Sequence, residues 1–172
     1  MEINKKDLKI LSLEFRRIAN RLINCNYATG MDLLAKFLSF INSNEIISDY
    51  IKGYINQDDF KGVKSGDAFS SMGDSKQEEI SFTYQYLEYC SKNFTNYYIN
   101  MALHYGSDSD SAIDEFNHRI ILPFVNYIEG YLTEIGIKMG YDENTKYIIN
   151  ISGGIVQLNV AEDTGVITAN QN

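Results

Sequence analysis

Histidine, cysteine, paired carboxylates and arginine are the residues from which a chain of this kind would build an active site, and few of them stand at useful spacing here. The chain has two histidines, His104 and His118, so there is little material for proton transfer near neutral pH. In the run Asp114-Glu115-Phe116-Asn117-His118-Arg119, Asp114 and His118 stand four apart and would share one helix face. An acid–base dyad or a metal pair would use that spacing, but no third ligand accompanies it, so the pair reads as an exposed ion pair. Lys64-Ser65-Gly66 has the composition of a phosphate loop without its GxxxxGK[ST] frame or a preceding apolar strand. No GxSxG, HExxH or Cys–His nucleophile arrangement is present, and no histidine follows Arg16, Arg17, Arg21 or Arg119 within a turn or two, as HEPN-type helical ribonucleases require. Catalytic residues, metal ligands and a cofactor are therefore not expected.

Eight tyrosines, Tyr84, Tyr86, Tyr89, Tyr97, Tyr98, Tyr105, Tyr127 and Tyr131, decorate the second half of the helical region. Tyrosine stacks on bases and is favoured at protein interfaces, which makes Tyr86, Tyr89 and Tyr97 candidates for a ligand face. The more ordinary expectation for such a stripe is a half-buried bundle core.

The elements that must carry these residues are read from hydrophobic spacing. Leu8, Leu11, Phe15, Ile18 and Leu22 line one face of a first helix. Asn24 to Gly30 reads as a turn. Leu34, Phe37 and Ile41 mark a second helix, and Ser43 or Asn44 can cap a third that runs through Ile47, Tyr50, Ile51, Tyr54 and Ile55. The Gly/Ser/Asp-rich stretch from Lys61 to Asp74 reads as a mobile loop. A long helix is expected next, with a capping box from Asp74 or Ser75 to Gln77 or Glu78, continuing through Ile80, Tyr84, Leu87, Phe94, Tyr98, Met101 and Tyr105. Gly106 to Ser111 ends it and caps a second long helix through Ile113, Ile120, Phe124, Tyr127, Tyr131 and Ile135, kinked near Pro123 and stopped by Gly140. Two helices of roughly 30 residues, each about 45 Å long, predict an elongated body.

At Lys146 the character changes. Tyr147 to Ile151, Ile155 to Val160 and Val166 to Asn170 have strand composition, with Gly153-Gly154 suited to a tight turn. The expected architecture is mainly α: an elongated bundle of about five helices over residues 1–145, with a small C-terminal antiparallel β-meander at 146–172. Three short strands need packing to be stable. The apolar positions Val156, Leu158, Val160 and Ile167 are thus the expected interface, either on the chain's own helices or between copies.

The net charge of −8 is unevenly spread. Residues 1 to 24 carry six basic and three acidic side chains, a local +3, which leaves −11 for the remainder. An acidic body gains nothing from counterion release, which argues against general nucleic-acid binding and leaves only a local basic patch on the first helix. Cys25 and Cys90 stand far apart and read as reduced, buried thiols. No signal-peptide core and no membrane-length apolar run is present, so a cytoplasmic location off the membrane is expected.

The string from Asn150 to Asn172, NISGGIVQLNVAEDTGVITANQN, resembles the short NISGGQ-type terminal motif of uncharacterised bacterial proteins, many of them near prophage or phage-defence genes. The matching positions are Asn150 to Gly154, Gln157, Asn159, Ala161, Asp163, Ile167, Ala169, Gln171 and Asn172. Ile155 and Val156 precede Gln157 here, where the motif places Gln directly after Gly-Gly. The resemblance implies a bacterial defence or prophage setting and an assembly role, and no reaction. The functional expectation is a non-enzymatic assembly or regulatory protein that binds another protein and self-associates as a homo-oligomer. The alternative is a nucleotide- or RNA-binding effector using the tyrosine face.

Overall fold

The computed structural model describes residues 4–57, 74–93, 95–99 and 108–140. The expected loop at 61–73, most of the stretch from 94 to 107 and the whole β-meander, with Val156, Leu158, Val160 and Ile167, lie outside the described residues. Within them the chain is a helical bundle and contains no strand.

Helix α1 spans Lys5–Ile23, α2 Gly30–Ser43 and α3 Glu45–Lys52. The fourth helix, α4, spans Lys76–Lys92. A last, long element consists of α5 (Ser109–Phe116), a π-helical segment (Asn117–Ile121) and α6 (Leu122–Lys138). Helix α1 packs on α2 and α6, α2 also meets α3 and α4, and α4 meets α3 and α6.

The caps explain where the helices start. Asn4 accepts from the Asp7 amide, Asn44 from the Ile47 amide, and Asp108 from the amides of Asp110 and Ser111. At α4 the expected capping box is present. Ser75 accepts from the Glu78 amide, and Glu78 accepts in return from the Ser75 amide. At the far end Gly140 takes φ +75 as the stop after α6, and its carbonyl accepts from Lys5 Nζ at 3.1 Å. That bond fixes the start of α1 beside the end of α6, so the two run antiparallel.

The core follows the helical spacing. Leu8, Leu11, Phe15 and Leu22 are buried with Leu34, Phe37, Ile41, Ile47, Ile51, Ile80, Leu87, Ile113, Ile120 and Phe124. Phe15 meets Phe37 at 6.1 Å, and Phe37 meets Phe124 edge-on at 6.4 Å, which joins α1, α2 and α6 through aromatic rings.

Two expectations need correction. The first long helix ends at Lys92. Asn93 closes it by donating from Nδ2 to the Tyr89 carbonyl, and the chain turns at 95–98 to bring Tyr97 and Tyr98 into the core. The third helix stops at Lys52, with Tyr54 and Ile55 packed beyond its end. Near Pro123 the long C-terminal element takes a π turn: the Leu122 amide bonds five residues back to the Asn117 carbonyl. A proline lacks the amide for the usual bond and crowds the carbonyl four residues back, here that of Arg119, so the wider turn accommodates the ring.

One glycine is required by close approach. A Cβ on Gly30, at the start of α2, would stand 2.6 Å from Ile113 Cδ1 and 3.3 Å from Tyr97 Oη. The Ile113 methyl can rotate away, but Tyr97 Oη is held by hydrogen bonds. Gly30→Ala is therefore expected to lower unfolding stability by about 1–3 kcal/mol despite the better helix propensity of alanine. Urea denaturation measures it.

Candidate functional site

Helix α1 carries Arg17 and Arg21 one turn apart near its C-terminal end, and both side chains are exposed. They line an open groove of about 620 Å³ between that end and the α1–α2 turn, together with Asn20, Asn24, Asn26 and Thr29. Cys25 and Leu33 complete the lining, and no carboxylate belongs to it. The two guanidinium groups have no ion-pair partner among the described residues. By contrast, Arg16 lies 3.5 Å from Glu129 and Arg119 pairs with Glu115.

The turn that shapes this groove is fixed by its own amides. Asn24 Nδ2 donates to the Asn20 carbonyl, and Asn26 Oδ1 accepts from the amide and hydroxyl of Thr29. The Tyr27 amide donates to Asp110 Oδ1, which ties the turn to α5.

Beneath the groove lies a buried polar cluster centred on Asn117, which is fully buried in the π segment. Its Nδ2 donates to the carbonyls of Leu22 and Ile23 at 3.0 and 3.1 Å, satisfying the end of α1 from across the core. Its Oδ1 accepts from Tyr97 Oη at 3.2 Å, and Tyr97 Oη lies 3.3 Å from Cys25 Sγ. With the Tyr97 proton given to Asn117, the Cys25 thiol is the donor in that contact. Burial pushes the Tyr97 phenol well above its ordinary value, with the Cys25 contact adding to it, so the cluster is held neutral. Among the described residues no histidine or carboxylate joins it. The groove's two guanidinium groups equip it for binding an anionic group.

A second open groove, of about 450 Å³, lies further along α1 at the α2–α3 junction. Asp7, Glu14 and Glu45 line it beside Ile10, Leu11 and Ile46. Glu14 and Glu45 have no ion-pair partner among the described residues. The chain thus presents two grooves of opposite charge along one helix.

The candidate ligand face of three tyrosines does not form. Tyr86 and Tyr97 are 1% and 0% exposed, with Tyr86 Oη donating to the Tyr97 carbonyl at 2.6 Å, and only Tyr89 reaches solvent. Tyr86 stacks near Phe82 and Phe116 instead, as a core residue whose hydroxyl finds a backbone partner. His118 stands in the solvent with Nδ1 3.2 Å from Asp114 Oδ1, an exposed pair as expected. Among the described residues no group of His, Cys, Asp or Glu is arranged to hold a metal, and no helix is long and apolar enough to cross a membrane. Both cysteines are free: Cys25 is half-buried, while burial pushes the Cys90 thiol up to about 11. Comparison with protein-family models, curated proteins and solved structures finds no match to this chain.

Proposed function

We propose that this protein is a non-enzymatic assembly protein that acts by protein–protein binding, with a second copy of itself as the partner of the Arg17/Arg21 groove. The observation that carries this reading is the Arg17 and Arg21 guanidinium groups in an open groove, matched by Glu14 and Glu45 in another groove of the same molecule, none of the four having an ion-pair partner among the described residues. An open, shallow trough suits a protein surface better than an enclosed small molecule. Surfaces that differ in this way join head to tail, so the contact is heterologous and propagates until it closes or forms a filament. The strand-like composition of residues 146–172 supports a further apolar self-contact through Val156, Leu158, Val160 and Ile167. The bacterial defence or prophage setting of this reading rests on the resemblance of residues 150–172. A nucleotide or RNA effector role loses its tyrosine face, since Tyr86 and Tyr97 are core residues.

Light scattering at rising ionic strength tests the charge-paired contact. The oligomer of the full chain is expected to lose mass as salt rises from about 0.05 M to about 0.5 M, because the Debye length shortens from about 14 Å to about 4 Å. Arg17→Glu with Arg21→Glu is expected to give the smaller species already at low salt. A full chain that is monomeric throughout, or an oligomer indifferent to both changes, overturns the proposal.

A further inference from the structure

At the corner where α3, α4 and α6 meet, three tyrosine rings surround one ammonium group. Lys76 Nζ lies 5.6 Å from the Tyr50 ring centroid, 5.8 Å from that of Tyr54 and 5.6 Å from that of Tyr127. The rings are held by contacts of their own. Tyr50 stacks on Tyr131 at 4.0 Å with a 10° interplanar angle and stands edge-on to Tyr54 at 5.1 Å. Tyr50 Oη donates to the Tyr127 carbonyl, and Tyr127 Oη donates to Glu79. The rings themselves are half-buried, whereas Lys76, the first residue of α4, is exposed. The box is therefore built from the scaffold, and the lysine reaches it as a flexible occupant.

A primary ammonium is a poor match for such a box. It is compact and strongly hydrated, and three aromatic faces offer it few hydrogen-bond acceptors. A quaternary ammonium has no donors to lose, is weakly hydrated and covers the rings with methyl groups, which is why aromatic cages select it. We propose that Tyr50, Tyr54 and Tyr127, backed by Tyr131, form a binding site for a small quaternary alkylammonium of the choline type, which Lys76 occupies and blocks until the ligand displaces it. Burial raises the Tyr50 phenol and hydrogen bonding to Tyr50 raises the Lys76 ammonium, so near neutral pH the Tyr50 phenol is neutral and the lysine charged. The carboxylates of Glu79 and Glu134 stand near the cage and favour a ligand without a phosphate of its own. This inference is independent of the two grooves.

Titrating the full chain with choline, tetramethylammonium and phosphocholine, read by the ring resonances of Tyr50, Tyr54 and Tyr127, tests it. Choline and tetramethylammonium are expected to shift these signals saturably, and phosphocholine much less. Lys76→Gln removes the competitor and is expected to tighten choline binding about tenfold. Tyr54→Leu, which removes the ring that stands edge-on to Tyr50, is expected to weaken it by a similar factor. The proposal is overturned by equal affinity in wild type and Lys76→Gln, by an equal response to sodium, or by undiminished binding in Tyr54→Leu. Phosphocholine binding as tightly as choline would assign the cage to a lipid headgroup and overturn the choice of ligand.

Discussion

Replacing Asn117 by alanine is expected to cost roughly 2–4 kcal/mol of unfolding stability, measured by urea denaturation at neutral pH. The side chain is fully buried and makes its hydrogen bonds on both ends. Its removal leaves the Ile23 carbonyl and the Tyr97 hydroxyl to find other partners in a dry environment, at about 1–3 kcal/mol for each group left bare. Leu22 is less affected, because its carbonyl also accepts from the Cys25 amide. Asn117→Asp sharpens the test, since a carboxylate cannot donate to the two carbonyls. Burial would raise its pKa above the unfolded value, so the folded state binds the proton more tightly. Stability of that variant is accordingly greatest at low pH, where the acid is protonated and donates, and falls as pH rises through the folded pKa. Wild type has no such dependence at this position.

The other large effect is expected at Phe37. Its ring is fully buried and touches Phe15 of α1 and Phe124 of α6, so it is the contact through which three helices share one core. Phe37→Ala removes that ring and leaves a cavity that two long helices cannot readily close, at about 3–5 kcal/mol. Phe37→Leu keeps much of the volume and is expected to cost about 1–2 kcal/mol. Thermal and urea unfolding of the pair give the difference, and equal costs would show that the surrounding rings repack around the loss.

Much of the helical frame was legible because burial repeats along a helix. Leu8, Leu11, Phe15 and Leu22 announced their face by spacing alone, and Ser75 with Glu78 announced a helix start by local hydrogen bonding. The features that escaped depend on distant residues. Asn117 sits in a run of charged and polar residues that reads as a solvated face, beside a histidine whose side-chain chemistry is the more conspicuous. The decisive partner of Asn117 is the end of α1, 95 residues away at Leu22. The break after Lys92 was hidden by heptad spacing that continues past it. The turn there is driven by Asn93 bonding back to Tyr89 and by the burial of Tyr97, neither of which periodicity reports. The grooves were half visible: the +3 of residues 1 to 24 marked a basic patch. Only the packing of α1 on α2 shows that Arg17 and Arg21 share one groove and Glu14 and Glu45 another.

Charge-swap mixing tests self-assembly through these grooves most directly. One variant carries Arg17→Glu and Arg21→Glu, the other Glu14→Arg and Glu45→Arg, and each retains its folded helical signal by circular dichroism. Light scattering at low salt is expected to find each variant smaller than wild type, and an equimolar mixture to recover association, because the reversed Arg17/Arg21 groove of one meets the reversed Glu14/Glu45 groove of the other, and the two unaltered grooves meet as in wild type. A mixture no heavier than its separate components, or variants that alone keep the mass of wild type, would contradict the account.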